Sequence, residues 1–244
     1  MTVLRTAYWF VFFFGALVYL YPQMKKAQRL QANGEADAAR AIVQKCVPWW
    51  ANCLLRLAGV TVSVTGRENI PADTAVVFTP NHQGNYDIPL MLTQLDAPHA
   101  LIAKIELKKI PLVRTWMTLL GCVFLDRKNP RQAVTALADA GKVLQAGHSM
   151  IVFPEGTRSK GGPMGEFKSG AFKMACKAKA PIVPIVIDGS YKIMEANGNL
   201  MRPAHVNITI LPPVATAALT REEQKALPQQ IAQSIAIYLE QKEG

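Results

Sequence analysis

Short apolar runs alternate with helical patterns along most of this chain, and this alternation limits the possible fold more than any other feature. Clear apolar runs occur at residues 75–79, 150–153 and 181–187, with helical patterns between them. Strands that alternate with helices are typical of βαβ units, in which the strands run parallel and helices cover the sheet. We therefore predict an α/β sandwich with a mostly parallel sheet.

The chain ends in a predicted helix with a clear start signal. Thr220 and Glu223 have the spacing of a capping box, and Pro228 predicts a break further along. The other predicted elements are strands at residues 60–64, 75–79, 100–103, 122–125, 150–153, 181–187 and 206–211, and helices from residue 88, at 112–120, 130–146 and 168–179.

The charge of the chain indicates an anionic partner. Its 27 basic and 17 acidic residues give a net charge of +10 over 244 residues. Such an excess favours a nucleic acid, a phospholipid surface or a phosphorylated substrate. The aromatic residues cluster at the N-terminus and do not interleave with basic residues, which favours a membrane and argues against nucleic acid.

The N-terminal segment is long and apolar enough to anchor the chain in a bilayer. No charge occurs between Thr6 and Met24. Nineteen helical residues measure about 28 Å, close to the roughly 30 Å hydrocarbon layer. The small residues of a signal-peptide cleavage site are missing, so we predict a retained anchor, as a transmembrane span or a hairpin in one leaflet. Three basic residues follow at Lys25, Lys26 and Arg29, which predicts an inner-membrane protein whose remaining chain faces the cytoplasm.

A second N-terminal helix is predicted at residues 41–60. Its polar residues Lys45, Asn52 and Arg56 share one stripe, and Pro48 predicts a break. This pattern fits a membrane-surface helix, with an ordinary core helix as the alternative. We accordingly divide the chain into a membrane-associated segment, residues 1–60, and a catalytic domain, residues 61–244.

A histidine and an aspartate stand where a predicted strand meets a predicted helix. His82 and Asp87 lie one helical turn apart, just after the strand at residues 75–79. The carboxylate can accept a hydrogen bond from the Nδ1–H group of the imidazole, which leaves Nε2 free to take a proton. The pair therefore predicts a general base, and polar capping of a helix start is an equally good interpretation of these two residues alone.

Charged side chains follow three further predicted strands. Lys104, Arg127 and the pair Glu155 and Arg158 each stand at a strand-to-loop junction. Successive parallel strands bring such junctions to the same edge of a sheet, so these side chains should converge near His82. Arginine suits a phosphate because its planar guanidinium offers paired donors.

Several catalytic classes lack their motifs in this sequence. No G-x-S-x-G, H-E-x-x-H or P-loop pattern occurs, and the four cysteines form no C-x-x-C. We therefore predict no metal site, no serine nucleophile and no cofactor.

Four sequence blocks occur in order along the chain. They are Asn81-His82-x4-Asp87, Gly121-x-x-Phe124-x-x-Arg127, Phe153-Pro154-Glu155-Gly156-Thr157-Arg158-Ser159 and Val183-Pro184-Ile185-Val186. Together they resemble the motifs of the glycerolipid acyltransferase family, and are most similar to those of the bacterial 1-acylglycerol-3-phosphate acyltransferases. One departure is Gly84, where many members carry serine.

The resemblance implies acyl transfer from an acyl-CoA or acyl-carrier-protein thioester to the free hydroxyl of lysophosphatidic acid at a membrane. It implies that His82 is the general base and that Asp87 orients it. The phosphate-binding residues would be Arg127, Arg158 and Lys104. The acceptor pocket would be shaped by Glu155, Gly156 and Thr157, with the Phe167-Lys168-x-Gly170 pattern also lining it.

Two alternatives remain open from the sequence. The acceptor could be glycerol-3-phosphate or the lyso form of an amino-acid lipid such as an ornithine lipid. A protein of another class, a basic membrane-surface binding protein without catalysis, would share the anchor and the positive charge.

Overall fold

The computed structural model describes residues 2–240, and it contains a seven-stranded sheet covered by helices on both faces. The strands are β1 (Val60–Thr65), β2 (Val77–Pro80), β3 (Ala100–Lys104), β4 (Val123–Leu125), β5 (Met150–Ile151), β6 (Ile182–Asp188) and β7 (Ala204–Ile210). The helices are α1 (Thr2–Tyr19), α2 (Tyr21–Ala32), α3 (Ala36–Ala58), α4 (Asp87–Gln94), α5 (Pro111–Leu119), α6 (Pro130–Gln145), α7 (Ser169–Ala178) and α8 (Arg221–Glu240).

The order of the strands across the sheet is β1-β7-β6-β2-β5-β3-β4. All neighbours are parallel except β6 and β7, which pair antiparallel. The prediction of an α/β fold with a mostly parallel sheet is therefore confirmed. The central strands β2, β5 and β6 are almost entirely buried because both of their faces are covered by helices.

Alternate residues of the central strands supply two separate cores. Phe78, Ile151 and Val183 point to the face covered by α1, α3, α4 and α5. Their neighbours Val77 and Met150 point to the other face, covered by α6, α7 and α8. This division follows from the two-residue period of a strand, and it gives a three-layer sandwich.

The N-terminal apolar stretch differs from the expectation of one continuous helix through Met24. Helix α1 ends at Tyr19, and α2 begins at Tyr21 with a proline at its start, where a missing N–H group is tolerated. Within residues 2–240, α1 is the one helix that is long and apolar enough to cross a membrane. Core helices of other proteins and signal sequences also meet this criterion of length and composition.

Helix α1 is attached to the rest of the protein at two points. The indole Nε1 of Trp9 donates a hydrogen bond to the carbonyl oxygen of Leu54 at 3.0 Å. The backbone N–H of Met201 donates to Oγ1 of Thr6 at 2.9 Å. These buried contacts hold one face of α1 against α3 and against the chain that leads into β7.

Two predicted helix breaks are wrong, because α3 runs through Pro48 and α8 runs through Pro228. A proline removes one hydrogen bond, and burial of the flanking turns offsets that loss. In α3 the apolar side is buried against the core, whereas Lys45, Asn52 and Arg56 face solvent. The buried side agrees with the core-helix alternative for this segment, and the membrane-surface contact stays a prediction.

The predicted capping box is confirmed. The Glu223 carboxylate accepts from the N–H of Thr220 at 2.7 Å, and the N–H of Glu223 donates to the Thr220 hydroxyl at 3.3 Å. The division into residues 1–60 and 61–244 stays a prediction, although side chains from both parts share the core beneath α1.

Candidate active site

The carboxyl ends of four parallel strands carry the charged residues of the candidate site. Strands β2, β5, β3 and β4 are neighbours in the sheet and run in the same direction. His82 follows β2, Lys104 ends β3, Arg127 follows β4, and Glu155 with Arg158 follows β5. Ligands bind at this edge of open α/β sheets, so the predicted convergence has a structural basis.

His82 and Asp87 form the predicted pair. Nδ1 of His82 lies 2.7 Å from Oδ2 of Asp87, which is a hydrogen bond with the proton on Nδ1. The aspartate is fully buried as the first residue of α4, whereas the histidine side chain is 16% exposed. No other hydrogen bond to the ring occurs within the described residues, so Nε2 remains free to accept a proton from a ligand.

The carboxylate of Asp87 also holds the turn that carries His82. Oδ2 accepts from the N–H groups of Gln83 at 2.7 Å and Gly84 at 2.9 Å, and Oδ1 accepts from the Ser190 hydroxyl. A buried carboxylate needs such donors because burial otherwise disfavours its charge. Ser190 thus belongs to the support of Asp87 and makes no bond to the imidazole.

Two amide side chains fasten the same turn to the end of β6. Asn81 bonds the backbone of Ile187 twice, accepting from its N–H at 2.7 Å and donating to its carbonyl at 2.9 Å. Oε1 of Gln83 accepts from the N–H of Gly189 at 2.9 Å. These bonds replace the strand pairing that stops at Pro80, and they fix the backbone on both sides of His82.

Glu155 differs from the expectation that it shapes the acceptor pocket. Its side chain is buried, and its two oxygens accept from the backbone N–H groups of His82 at 2.6 Å and Gly165 at 2.8 Å. Burial raises the pKa of the Glu155 carboxyl, and the two backbone N–H groups lower it in part. Because both of its contacts are to backbone N–H groups, Glu155 holds the backbone of His82 in place.

The ring of His82 is also held by an aromatic neighbour. The Phe153 ring stacks against it, with 4.2 Å between ring centroids and 30° between the planes. Stacking restricts rotation of the imidazole about its side-chain torsions, and the Asp87 bond fixes the remaining freedom. The direction in which Nε2 points is thus set by two independent contacts.

Gly156 positions one of the predicted phosphate-binding arginines. Its carbonyl accepts a hydrogen bond from Nη1 of Arg127, which holds this exposed side chain over the loop. The backbone of Gly156 is left-handed with φ of 70°, and a side chain there would lie 3.1 Å from Nζ of Lys168. A glycine at this position keeps space for the ammonium group of Lys168.

Arg158 lies beside the turn that follows His82. Its Nη1 donates to Oδ1 of Asn85 and, at 3.3 Å, to Oε1 of Glu195. The side chain of Arg158 is about one third exposed, so the guanidinium keeps donors for a ligand. Lys104 is more exposed and pairs with Glu106 at 3.2 Å.

A cavity of about 1010 Å³ begins at these residues and continues into an apolar interior. Its polar end is lined by six of the residues predicted for the site. Lys168 and Gly170 line it as well. Those six are His82, Lys104, Arg127, Gly156, Thr157 and Arg158. The other two predicted residues, Asp87 and Glu155, are buried and do not line the cavity.

The apolar end of the cavity is formed by side chains from α1, α3 and α5. Trp9, Phe13 and Leu17 of α1 contribute to the wall, facing Leu54 and Trp116. A volume of this size is at the upper end of what small-ligand sites offer, and its lining suits an acyl chain. The N-terminal helix is therefore part of the candidate site.

Sequence reasoning missed the residues that hold the site together. Asn85, Glu195 and Ser190 were not singled out, because the bonds from residues 190 and 195 join segments more than 100 positions apart. The sequence offers no signal for such partners, since neither residue belongs to a local pattern. Within residues 2–240, no group of three His, Cys, Asp or Glu side chains could hold a metal ion.

Comparison with known proteins places this arrangement in a family. A family model described as Acyltransferase matches residues 61–188, more than half of the chain. The chain belongs to the acyltransferase family. The matched range begins in β1 and ends with β6, so it includes every predicted site residue of this acyltransferase.

Two similar sequences and one solved structure carry related names. A probable 1-acyl-sn-glycerol-3-phosphate acyltransferase of Mycoplasma pneumoniae is 42% identical over 61% of this chain and 57% of that protein. The 1-acyl-sn-glycerol-3-phosphate acyltransferase of Borreliella burgdorferi is 33% identical over 76% of this chain and 74% of that protein. The solved structure is the 1-acyl-sn-glycerophosphate (LPA) acyltransferase PlsC of Thermotoga maritima, with 29% identity, 98% and 96% coverage and a TM-score of 0.83.

Proposed function

We propose that this acyltransferase moves a fatty acyl group from a thioester to the sn-2 hydroxyl of 1-acylglycerol-3-phosphate, giving phosphatidic acid. The observation that carries the proposal is the imidazole of His82, bonded through Nδ1 to Asp87 and placed at the mouth of the apolar cavity. The names of the two similar sequences and of the similar structure support the same acceptor.

The proposed reaction needs one proton transfer in each direction. Nε2 of His82 takes the proton from the glycerol hydroxyl while that oxygen attacks the thioester carbonyl carbon. The tetrahedral intermediate then expels the thiolate, the carbon–sulfur bond breaks, and the imidazolium returns the proton to sulfur. Asp87 stabilises the charged ring throughout, and a positioned base of this kind contributes about 10²–10⁴-fold to the rate.

The mechanism uses no covalent enzyme intermediate and no cofactor. A thioester is already activated, so an acyl-serine or acyl-cysteine would add nothing to the transfer. The Ser190 hydroxyl belongs to the same hydrogen-bond network as His82, but it is buried and donates to Asp87. This arrangement supports direct attack by the acceptor's own hydroxyl.

The cations around the mouth supply a site for the phosphate of the acceptor. Arg127, Arg158, Lys104 and Lys168 all line the polar end of the cavity, on the same side as His82. A phosphate bound there holds the glycerol hydroxyl close to Nε2, while the acyl chain enters the apolar end. Arginine pairs best with such a ligand because two N–H groups can bind two oxygens.

We further propose that the protein is bound to the cytoplasmic face of the inner membrane through α1. The buried contacts of Trp9 and Thr6 tie α1 to the catalytic domain, which favours a helix lying in one leaflet over one that crosses the bilayer. Lys25, Lys26 and Arg29 form an exposed basic face on α2. Such a face is attracted to anionic headgroups.

The acceptor is tested by assaying the purified protein in anionic lipid vesicles with a labelled acyl thioester. We expect acylation of 1-acylglycerol-3-phosphate, and little with glycerol-3-phosphate or a lyso-ornithine lipid. Parallel assays with acyl-CoA and with acyl carrier protein identify the donor. Binding to vesicles without turnover of any acceptor would contradict the proposal and favour a membrane-surface binding protein.

A further inference from the structure

Glu195 is a buried carboxylate beside the phosphate-binding end of the cavity. It lies in a short 3₁₀ turn, Glu195–Asn197, after the end of β6, and its side chain is 2% exposed. Oε1 accepts from the backbone N–H of Asn85 at 2.7 Å and from Nη1 of Arg158 at 3.3 Å. One carboxylate thus joins the turn after His82 to the arginine of the next loop.

The second oxygen of Glu195 occupies the space of a side chain at position 84. A Cβ atom on Gly84 would lie 2.6 Å from Oε2, closer than real Cβ atoms approach. Oε2 is buried and has no hydrogen-bond partner among the described residues. The space above Gly84 is therefore filled by a carboxylate that is held in place through its other oxygen.

We propose that Glu195 is a positioning residue that sets the specificity for a phosphate-bearing acceptor by holding Arg158, and that Gly84 is required because Glu195 fills its side-chain space. This inference rests on the proposed function, since it takes Arg158 as a phosphate ligand. Glu195 itself touches neither reacting atom, and it acts through the guanidinium and the backbone of Asn85.

Two effects of Glu195 on phosphate binding oppose each other. Its negative charge weakens the attraction of Arg158 for an anion, whereas its hydrogen bonds fix the direction of the guanidinium. Arg158 is about one third exposed, so solvent screens the charge effect, but a free arginine side chain must lose several rotamers when it binds a ligand. Orientation therefore dominates, and loss of Glu195 weakens binding of the acceptor.

The first test measures KM and kcat for lysophosphatidic acid in Glu195→Ala and Glu195→Gln. A hydrogen bond to a charged group is lost in Glu195→Ala, so we expect KM to rise about tenfold with kcat within about threefold of wild type. Glu195→Gln keeps an acceptor oxygen for Asn85 and Arg158 and should recover most of the loss. The exposed Glu68→Gln serves as the matched control, with both constants unchanged.

A double-mutant cycle with Arg158→Ala shows whether the effect passes through the arginine. Residues that act as one unit are not additive. Arg158→Ala should raise KM on its own, and adding Glu195→Ala to it should then change KM by less than about twofold. A purely structural loss would lower kcat and the melting temperature in both backgrounds alike.

The variant Gly84→Ser disturbs Glu195 without removing its carboxylate. It tests the same inference if Glu195→Ala does not fold. A Cβ atom at position 84 would also lie 3.0 Å from Cδ and 3.3 Å from Oε1 of Glu195, so the serine side chain displaces the whole carboxylate. The bonds that Oε1 accepts from Asn85 and Arg158 are then lost, and Gly84→Ser should raise KM as Glu195→Ala does. In the Glu195→Ala background the space is empty, and Gly84→Ser should have no further effect.

The outcomes separate failure of this inference from failure of the proposed function. An unchanged or lower KM in Glu195→Ala, or an equal rise in the Arg158→Ala background, would overturn the role of Glu195 while wild-type turnover and the Arg158→Ala effect stand. No turnover of lysophosphatidic acid by wild type, or an unchanged KM in Arg158→Ala, would overturn the proposed function itself.

Discussion

The carboxylate of Asp87 fixes both the ring of His82 and the backbone that carries it. Its four hydrogen bonds come from the imidazole, from two consecutive N–H groups and from Ser190. Charge-assisted bonds of this kind are stronger than neutral ones. The residue that orients the imidazole of His82 therefore also holds the turn in place beside the cavity.

Glu155 supports the turn from the opposite side and gives a prediction about pH. Burial raises the pKa of its carboxyl above the usual range. A carboxyl with a raised pKa in the folded protein contributes stability at acidic pH, and that contribution falls as the pH rises through the folded-state pKa, because the unfolded chain gives up its proton more readily. The variant Glu155→Gln does not titrate.

We therefore expect the melting temperature of wild type, measured relative to Glu155→Gln, to fall as the pH rises from about 4 to about 7. Thermal unfolding of both proteins in the same detergent across this range is the measurement. If the melting temperature of wild type instead rises relative to Glu155→Gln with increasing pH, the two N–H donors lower the pKa of this carboxyl more than burial raises it.

At the residue scale the sequence predicted the contact between His82 and Asp87 better than the residues that support it. The contact between His82 and Asp87 was predictable because their spacing is local, and the turn that leads into α4 brings them together. Glu155 was predicted near the site, yet its role was misjudged, since nothing in the sequence tells a pocket-lining carboxylate from one that bonds backbone. Glu195 and Ser190 depend on long-range packing, which no local pattern records.

Among the elements, the junction between β2 and α4 depends on Asn81. This amide bonds the N–H and carbonyl of Ile187 and so extends the pairing of β2 with β6 beyond Pro80. A side chain performs the pairing here because the backbone must turn away from the sheet to present His82. The position of the histidine thus depends on an interaction between elements.

Replacing Asn81 by alanine leaves the N–H and the carbonyl of Ile187 buried without a partner. Each such group costs about 1–3 kcal/mol, so we expect Asn81→Ala to lower the free energy of unfolding by about 3 kcal/mol. Denaturant unfolding measures this loss. Asn52→Ala, at an exposed position on α3, is the control, and equal stability of the two variants would contradict the structural role of Asn81.

The elements themselves were largely predictable from apolar runs and end signals. All seven strands lie at predicted positions within a few residues, and the capping box at Thr220 starts α8 as expected. The two predicted breaks failed for a common reason: Pro48 and Pro228 stand in helices whose neighbouring turns are buried, and packing overrides local propensity.

For the whole molecule, the proposed membrane binding depends on the outer face of α1. Leu4, Val11 and Val18 are spaced by seven residues and are all well exposed, while the inner face of the same helix lines the cavity. Large exposed apolar patches mark interaction surfaces. A bilayer covering this face would lie directly beside the cavity in which we propose that the acyl chains bind.

A charge on this face should weaken membrane binding without unfolding the protein. Val11 is 70% exposed and Val134, on α6, is 69% exposed, so Val134→Lys is a matched control for Val11→Lys. Burying a valine side chain contributes about 1.5–3 kcal/mol, so we expect Val11→Lys to lower partitioning into anionic vesicles about tenfold or more. Sedimentation with vesicles measures it, and an equal loss for Val134→Lys would contradict this face as the contact.

The architecture of the whole chain was predictable, but the participation of α1 in the site was not. Composition marked the N-terminal segment as apolar, and apolar residues suit a bilayer, a protein core and a lipid cavity equally well. The structure shows one helix with two apolar faces, of which the inner one contacts Tyr86 through Trp9, with 5.8 Å between ring centroids. This assignment of faces depends on how the helix packs.

The most direct test of a histidine base oriented by Asp87 compares acyl transfer to lysophosphatidic acid in His82→Ala and Asp87→Asn with the same changes in a second His–Asp pair elsewhere in the fold. His99 and Asp96 form a similar pair at 2.9 Å that does not line the cavity, so His99→Ala and Asp96→Asn are the controls. We predict that both changes at the site lower kcat by about 10²–10⁴-fold and that both controls stay near wild type. Turnover by a folded His82→Ala within a few-fold of wild type would contradict the account.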